Sequence, residues 1–230
     1  MVIQGLQKLT LLDFPGHTAC TVFTAGCNFR CPFCHNASLV THIDADPVCT
    51  EEEFFSFLSK RQGLLDGVAV TGGEPLLQKD IVPFLKKIRD LGFAVKLDTN
   101  GSRPDVLKEI VNTGLVDYVA MDIKNTKEKY PLTAGVDGKL LDAVEESIDF
   151  LLENHVDYEF RTTLVKNFHT KEDIVCMSHR LQGAKRWFLQ SFKDSGDLID
   201  GSCVGFSDTE MRQMLESARF AAPFAEIRGI

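Results

Sequence analysis

The sequence predicts an α/β protein, a partial (β/α)6 TIM-like barrel with an N-terminal hairpin extension, occupying residues 1–230 as a single domain. Three observations lead there. Short runs rich in β-branched and apolar residues alternate with amphipathic stretches of helical period, the pattern of βα units repeated along a parallel sheet. Six such pairs can be placed in order, with no internal repeat, low-complexity tract or linker between them. Polar and glycine-rich residues recur at the C-terminal end of each strand-like run, where the βα loops of a parallel sheet converge on one mouth. With 44% hydrophobic residues in 230, the chain can bury one core of this size.

The elements follow in sequence. Residues 2–12 lack helical period and read as a short hairpin with Pro15-Gly16 as its turn. Strands are expected at 18–24, 67–71, 94–98, 118–123, 158–165 and 187–192, and helices at 50–61, 79–91, 104–112, 140–154, 171–181 and 207–218. Thr50 ahead of Glu51, Glu52 and Glu53 is an N-cap with an acid at the third helical position, and Pro104 suits a first turn. Six strands leave a parallel barrel incomplete, with one side open to a large partner.

The formal charge of −8 gives no general attraction for phosphate backbones, and no local basic patch is evident, so no nucleic acid is expected. No stretch approaches the roughly 20 apolar residues of a membrane span, and residues 1–9 lack the pattern of a signal peptide, so the expected location is cytoplasmic, without membrane contact. Of seven cysteines, three lie within eight positions, and Cys20, Cys49, Cys176 and Cys203 are scattered. Cys20 on its strand and Cys176 on its helix read as small buried hydrophobes, whereas Cys49 and Cys203 have polar, loop-like surroundings.

The chemistry gathers at the strand tips. The first runs into Ala25-Gly26-Cys27-Asn28-Phe29-Arg30-Cys31-Pro32-Phe33-Cys34-His35-Asn36, the second into Gly72-Gly73-Glu74-Pro75, the third into Asp98-Thr99-Asn100-Gly101 and the fourth into Asp122-Ile123-Lys124. The fifth carries Arg161 and Thr163, the sixth Gln190 and Lys193. Cysteines spaced C-x3-C-x2-C can hold three corners of an iron–sulfur cube and leave the fourth iron open to a ligand. Three other readings stay open on spacing alone: Cys31-Pro32-Phe33-Cys34-His35 matches covalent haem attachment, Cys31 with Cys34 a thioredoxin-like dithiol, and the trio plus a distant ligand a zinc site. The paired glycines allow close backbone approach, or mark an ordinary strand-to-helix turn. His17 and His42 flank the cysteine loop and are assigned no role.

Cys27, Cys31, Phe33 and Cys34, followed by Gly72-Gly73-Glu74-Pro75, resemble the cluster and amino-group motifs of the radical S-adenosylmethionine (SAM) superfamily. More narrowly, Gly5-Leu6-Gln7-Lys8-Leu9-Thr10-Leu11-Leu12-Asp13-Phe14-Pro15-Gly16, with Cys20-Thr21-Val22-Phe23 and Cys34-His35-Asn36, is similar to the anaerobic ribonucleoside-triphosphate reductase activating proteins. Asp98-Thr99-Asn100-Gly101 and Met121-Asp122-Ile123-Lys124 look like motifs shared with pyruvate formate-lyase activating enzyme. The resemblance implies a radical SAM barrel and a [4Fe-4S] cluster on Cys27, Cys31 and Cys34. It further implies reductive cleavage of SAM to a 5′-deoxyadenosyl radical, which takes hydrogen from a backbone glycine of a large glycyl-radical enzyme, here anaerobic ribonucleotide reductase. A low-potential donor such as flavodoxin or ferredoxin would supply the electron. Gly72, Gly73 and Glu74 would hold the methionine amino group and Phe33 would pack near the adenine. Asp98, Asp122 and Lys124 would surround the carboxylate and ribose, with Arg161 a further candidate. Lys193 departs from the pattern, standing where the pyruvate formate-lyase activase carries a histidine. Activation of another glycyl-radical enzyme, radical chemistry on a small molecule, and a zinc or dithiol binding module are the alternative functions.

Overall fold

The computed structural model of the protein describes residues 1–43 and 46–230. One eight-stranded sheet runs through it in chain order: β1 (Ile3–Thr10), β2 (Ala19–Thr24), β3 (Gly67–Gly72), β4 (Ala94–Thr99), β5 (Tyr118–Asp122), β6 (Asp157–Leu164), β7 (Trp187–Ser191) and β8 (Ala225–Arg228). β1 is antiparallel to β2, every later pair is parallel, and β1 and β8 remain as edges, so the barrel is open. The helices are α1 (Ser38–Thr41), α2 (Glu51–Ser59), α3 (Ile81–Asp90), α4 (Pro104–Asn112), α5 (Tyr130–Ala134), α6 (Lys139–Leu152), α7 (Lys171–Arg180) and α8 (Asp208–Ala218), with a 3-10 turn at Pro75–Leu77. No helix among the described residues is long and apolar enough to cross a membrane.

Parallel strands covered on both faces need apolar residues without alternation, and β3 supplies them in Val68, Ala69 and Val70, all buried. The covering helices are one-sided. In α3, Ile81, Phe84, Leu85 and Ile88 fall on the buried face at helical spacing. The start of α2 is set as the sequence suggests: the Thr50 hydroxyl accepts from Glu53 N–H at 3.1 Å while Thr50 N–H donates to the Glu53 carboxylate at 2.9 Å. The same reciprocal cap opens α7 at Thr170 and Asp173 and α8 at Ser207 and Glu210.

The N-terminal hairpin has β2 as its second arm. Its connection crosses the N-terminal end of the strands, where Phe14 packs on Ala19 and Tyr118 and the Thr21 hydroxyl donates to Asp13 at 2.6 Å. The cysteine-lined cavity opens at the other end, and a second cavity lies between this connection and the interior-facing Lys96, Glu159 and Arg228. Two points differ from the sequence reading. A seventh parallel strand, β8, follows α8; its four residues Ala-Glu-Ile-Arg mix polarity and are too few to show a period. Cys176 is exposed, because α7 buries the face bearing Asp173, Ile174, Met177 and Ser178, whereas Cys203, in its polar loop, is buried. Cys20 is buried on β2 as expected.

Candidate active site

A cavity of about 190 Å³ opens at the C-terminal ends of the strands. Ten of the eleven residues singled out from the sequence line it: Cys27, Cys31, Cys34, Phe33, Gly72, Gly73, Asp98, Asp122, Lys124 and Arg161. The eleventh, Glu74, lies just beneath. Strand register does this work, since Asp122 and Arg161 are direct neighbours across β5 and β6 and side chains alternate between the interior and the helices.

The cysteine loop has no regular structure and is held from all sides by backbone hydrogen bonds. Gly26 N–H donates to Leu39 O at 2.8 Å, Arg30 N–H to Ala134 O at the end of α5 at 2.8 Å, and Asp200 N–H to Pro32 O at 2.9 Å. Glu74 N–H donates to Gly26 O at 2.8 Å and Gly73 N–H to Thr24 O at 2.9 Å, which seats the β3 tip against the loop. Here the glycines are obligatory. A Cβ on Gly73 would stand 2.0 Å from Gly26 O, and one on Gly72, whose φ is +123°, would stand 2.2 Å from Thr24 N. Phe33 is buried against Phe168, ring centroids 5.9 Å apart.

Opposite the loop lies a chain of alternating charges. Arg161 donates to Asp98 at 3.1 Å and to Asp122 at 2.9 Å, Lys124 donates to Asp122 at 3.1 Å, and the buried Lys96 pairs with Asp98 from below. Burial by itself would raise the Asp122 carboxyl, but Arg161 and Lys124 prevail and bring it to about 2. Asp98 is likewise held below its ordinary value, Arg161 and Lys96 outweighing burial. Three cations against two carboxylates leave one positive charge, which suits an anionic group such as an amino-acid carboxylate.

Glu74 is almost wholly buried, and its carboxylate accepts from Asn100 N–H at 2.6 Å, Leu76 N–H at 3.0 Å and the Thr99 hydroxyl at 2.8 Å. The side chain therefore ties the β3 tip to the β4 tip. Burial pushes its carboxyl up to about 7 against those donors. Sequence reasoning assigned no role to Asn28, His35 and Asn100. Asn100 and His35 line the cavity, while Asn28 braces Asn100. The His35 imidazole hydrogen-bonds Lys193 O at 2.8 Å and stacks on Phe192, so Lys193 meets the cysteine loop through its backbone. The tip motif at Asn100 was visible in the sequence, but only folding shows what its side chain reaches.

The surroundings of the cysteines bear on the four readings of them. Among the described residues, no three His, Cys, Asp or Glu side chains converge as a single ion requires, yet the three thiols share one cavity. Thiolates spread around a volume suit a multi-iron cluster, not a lone zinc. Burial pushes the Cys27 thiol up to about 11 and the Cys31 thiol up to about 12. His35, engaged at the β7 tip, is not held free as a haem ligand. The residues fit a [4Fe-4S] cluster on three cysteines with one iron open.

Comparison with known proteins agrees. Residues 21–175 match the radical SAM superfamily, to which this chain belongs; its members are enzymes that use a [4Fe-4S] cluster and SAM. Within it, the similarity runs to the family of glycyl-radical enzyme activating enzymes. A Methanocaldococcus jannaschii protein provisionally named a glycyl-radical enzyme activating enzyme is 32% identical over 202 residues, 85% of this chain and 82% of its own length. The pyruvate formate-lyase-activating enzyme of Clostridium pasteurianum is 30% identical over 131 residues, 55% of this chain and 53% of that enzyme. In fold, the chain is similar to a domain of pyruvate-formate lyase-activating enzyme from Bacteroides vulgatus, with a TM-score of 0.58, 19% identity and coverage of 71% of this chain and 99% of that one. Streptococcus suis SuiB bound to precursor peptide SuiA gives a TM-score of 0.71 at 16% identity, over 91% of this chain and 48% of SuiB.

Proposed function

We propose that residues 1–230 act as one radical SAM domain that installs a glycyl radical on a large partner enzyme, and that the partner is anaerobic ribonucleoside-triphosphate reductase. The observation that carries this is the single cavity in which three cysteines face an alternating chain of carboxylates and cations, in a chain related over most of its length to an activating enzyme. The similarity of residues 5–16, 20–23 and 34–36 to the reductase activating proteins supports the choice of partner.

When bound, the cluster and SAM supply one-electron cleavage of a sulfonium to a carbon-centred radical, chemistry that protein side chains lack. Cys27, Cys31 and Cys34 would hold the cluster. Gly72 and Gly73, free of side chains, would let backbone carbonyls approach the methionine amino group, and Glu74 would fix that backbone from behind. Lys124 and Arg161 would meet the carboxylate, and Asp98 and Asp122 the ribose hydroxyls, while Phe33 closes the wall near the adenine. The open edge between β1 and β8 would admit a partner segment carrying the target glycine.

The test is anaerobic reconstitution followed by incubation with SAM, a low-potential reductant such as reduced flavodoxin or ferredoxin, and the reductase. A glycyl-radical doublet in the paramagnetic-resonance spectrum, dependent on SAM, is expected. No doublet with the reductase, alongside one with another glycyl-radical enzyme, would overturn the partner and keep the mechanism.

A further inference from the structure

We infer that Asn100 is a positioning residue that sets the cluster potential by donating an N–H to the Cys27 sulfur. This rests on the reading of Cys27 as a cluster ligand; the Sγ atom of the free thiol stands in for the iron-bound thiolate.

The orientation of the Asn100 amide follows from its partners. Its Oδ1 lies 2.9 Å from the backbone N–H of Ser102, which can only donate, so Oδ1 is the acceptor on that side. Nδ2 then faces Asn28 Oδ1 at 3.0 Å and Cys27 Sγ at 3.7 Å, one hydrogen for each. Asn28 is itself held, its Nδ2 donating to the Ser102 hydroxyl at 2.9 Å. The Asn100 backbone N–H is used separately, on Glu74. With 6% of its surface exposed, Asn100 has little access to water as a competing partner.

The three sulfurs are not alike. Cys27 Sγ also accepts from Phe29 N–H at 3.3 Å, making two donors. Cys31 Sγ faces a carbonyl instead, Ala134 O at 3.9 Å, and among the described residues no N–H reaches Cys34 Sγ. An N–H aimed at a cluster thiolate stabilises the reduced, more negative state over the oxidised one, and so raises the potential. Asn100 is placed by the β4 tip, which also carries Asp98 and Thr99, so the group that tunes the cluster sits on the element that shapes the SAM side of the cavity.

The test uses the whole chain, reconstituted anaerobically and titrated against potential without SAM, with iron and sulfide contents measured alongside. Asn100→Leu keeps the volume and removes the donor. Its loaded cluster should be harder to reduce by about tenfold in the equilibrium, a shift of about 59 mV for one electron. Asn100→Asp, which keeps the acceptor for Ser102, should shift in the same direction and serves if the leucine variant does not load. Ser102→Ala perturbs the same network but spares the donor and should keep the wild-type potential. An unchanged potential in the loaded Asn100 variants, an equal shift in Ser102→Ala, or folded Asn100 variants that both fail to load would overturn the inference. Failure of the wild-type chain to load a cluster would instead refute the ligand assignment.

Discussion

Cys27 and Cys31 sit in surroundings that disfavour a bare thiolate, so as free thiols they stay protonated at neutral pH, and loading a cluster must release those protons. Three corners leave none to spare. Each of Cys27→Ala, Cys31→Ala and Cys34→Ala is expected to lose the cluster absorption and SAM cleavage after reconstitution, and normal cleavage in any of them would refute the ligand assignment. Glu74 allows a pH prediction. Its folded pKa, about 7, lies above the ordinary 4.5, so the fold disfavours the ionised form. Stability from this group is complete below about pH 4.5 and is lost as pH rises through about 7, by up to about 3 kcal/mol. Urea midpoints of the cluster-free protein should fall across that window. In Glu74→Gln the curve should be flatter, and lower overall, because an amide cannot accept on both sides. The sequence marks Glu74 as part of a tip motif; that it faces away from the cavity depends on donors from residues 76, 99 and 100.

For the elements, the decisive contact is between the β3 tip and the cysteine loop. Were the paired glycines needed only for close approach to SAM, a β-branched residue at position 73 would obstruct SAM and spare the cluster. The structure corrects this, because the added Cβ collides with Gly26 O, next to Cys27. Gly73→Val is therefore expected to reduce iron incorporation together with SAM binding, read by iron content and by equilibrium dialysis. Full loading with weakened SAM binding alone would restore the simpler view. Helix starts were legible because a cap is local: Thr50 and Glu53 are three residues apart. β8 was not, since four residues acquire strand character from their pairing with β7.

For the whole molecule, Arg161 joins carboxylates that reach the cavity from β4 and β5. Arg161→Met would leave Asp98 and Asp122 without their shared partner, and because all three are half-buried the expected cost lies between about 1 kcal/mol, as for a surface pair, and about 3 kcal/mol, as for a buried one. Denaturant unfolding should show that loss, with weaker SAM binding in the loaded protein. A change below about 1 kcal/mol would mean that solvent screens the pairs as on a surface.

From the sequence alone came the alternation of strands and helices, the cysteine spacing, the glycine pair and the polar tips, because period, spacing and capping are short-range properties. Tertiary structure decided what those tips do to one another. Asn100 meets Cys27 across 73 residues and Arg161 meets Asp122 across 39, contacts set by strand register and loop packing. It also decided that Glu74 supports the cavity from beneath, that Cys176 faces outward and that a seventh parallel strand extends the open sheet. Side-chain chemistry is written residue by residue, but burial and pairing, which set charge and reactivity, exist only once distant segments are brought together.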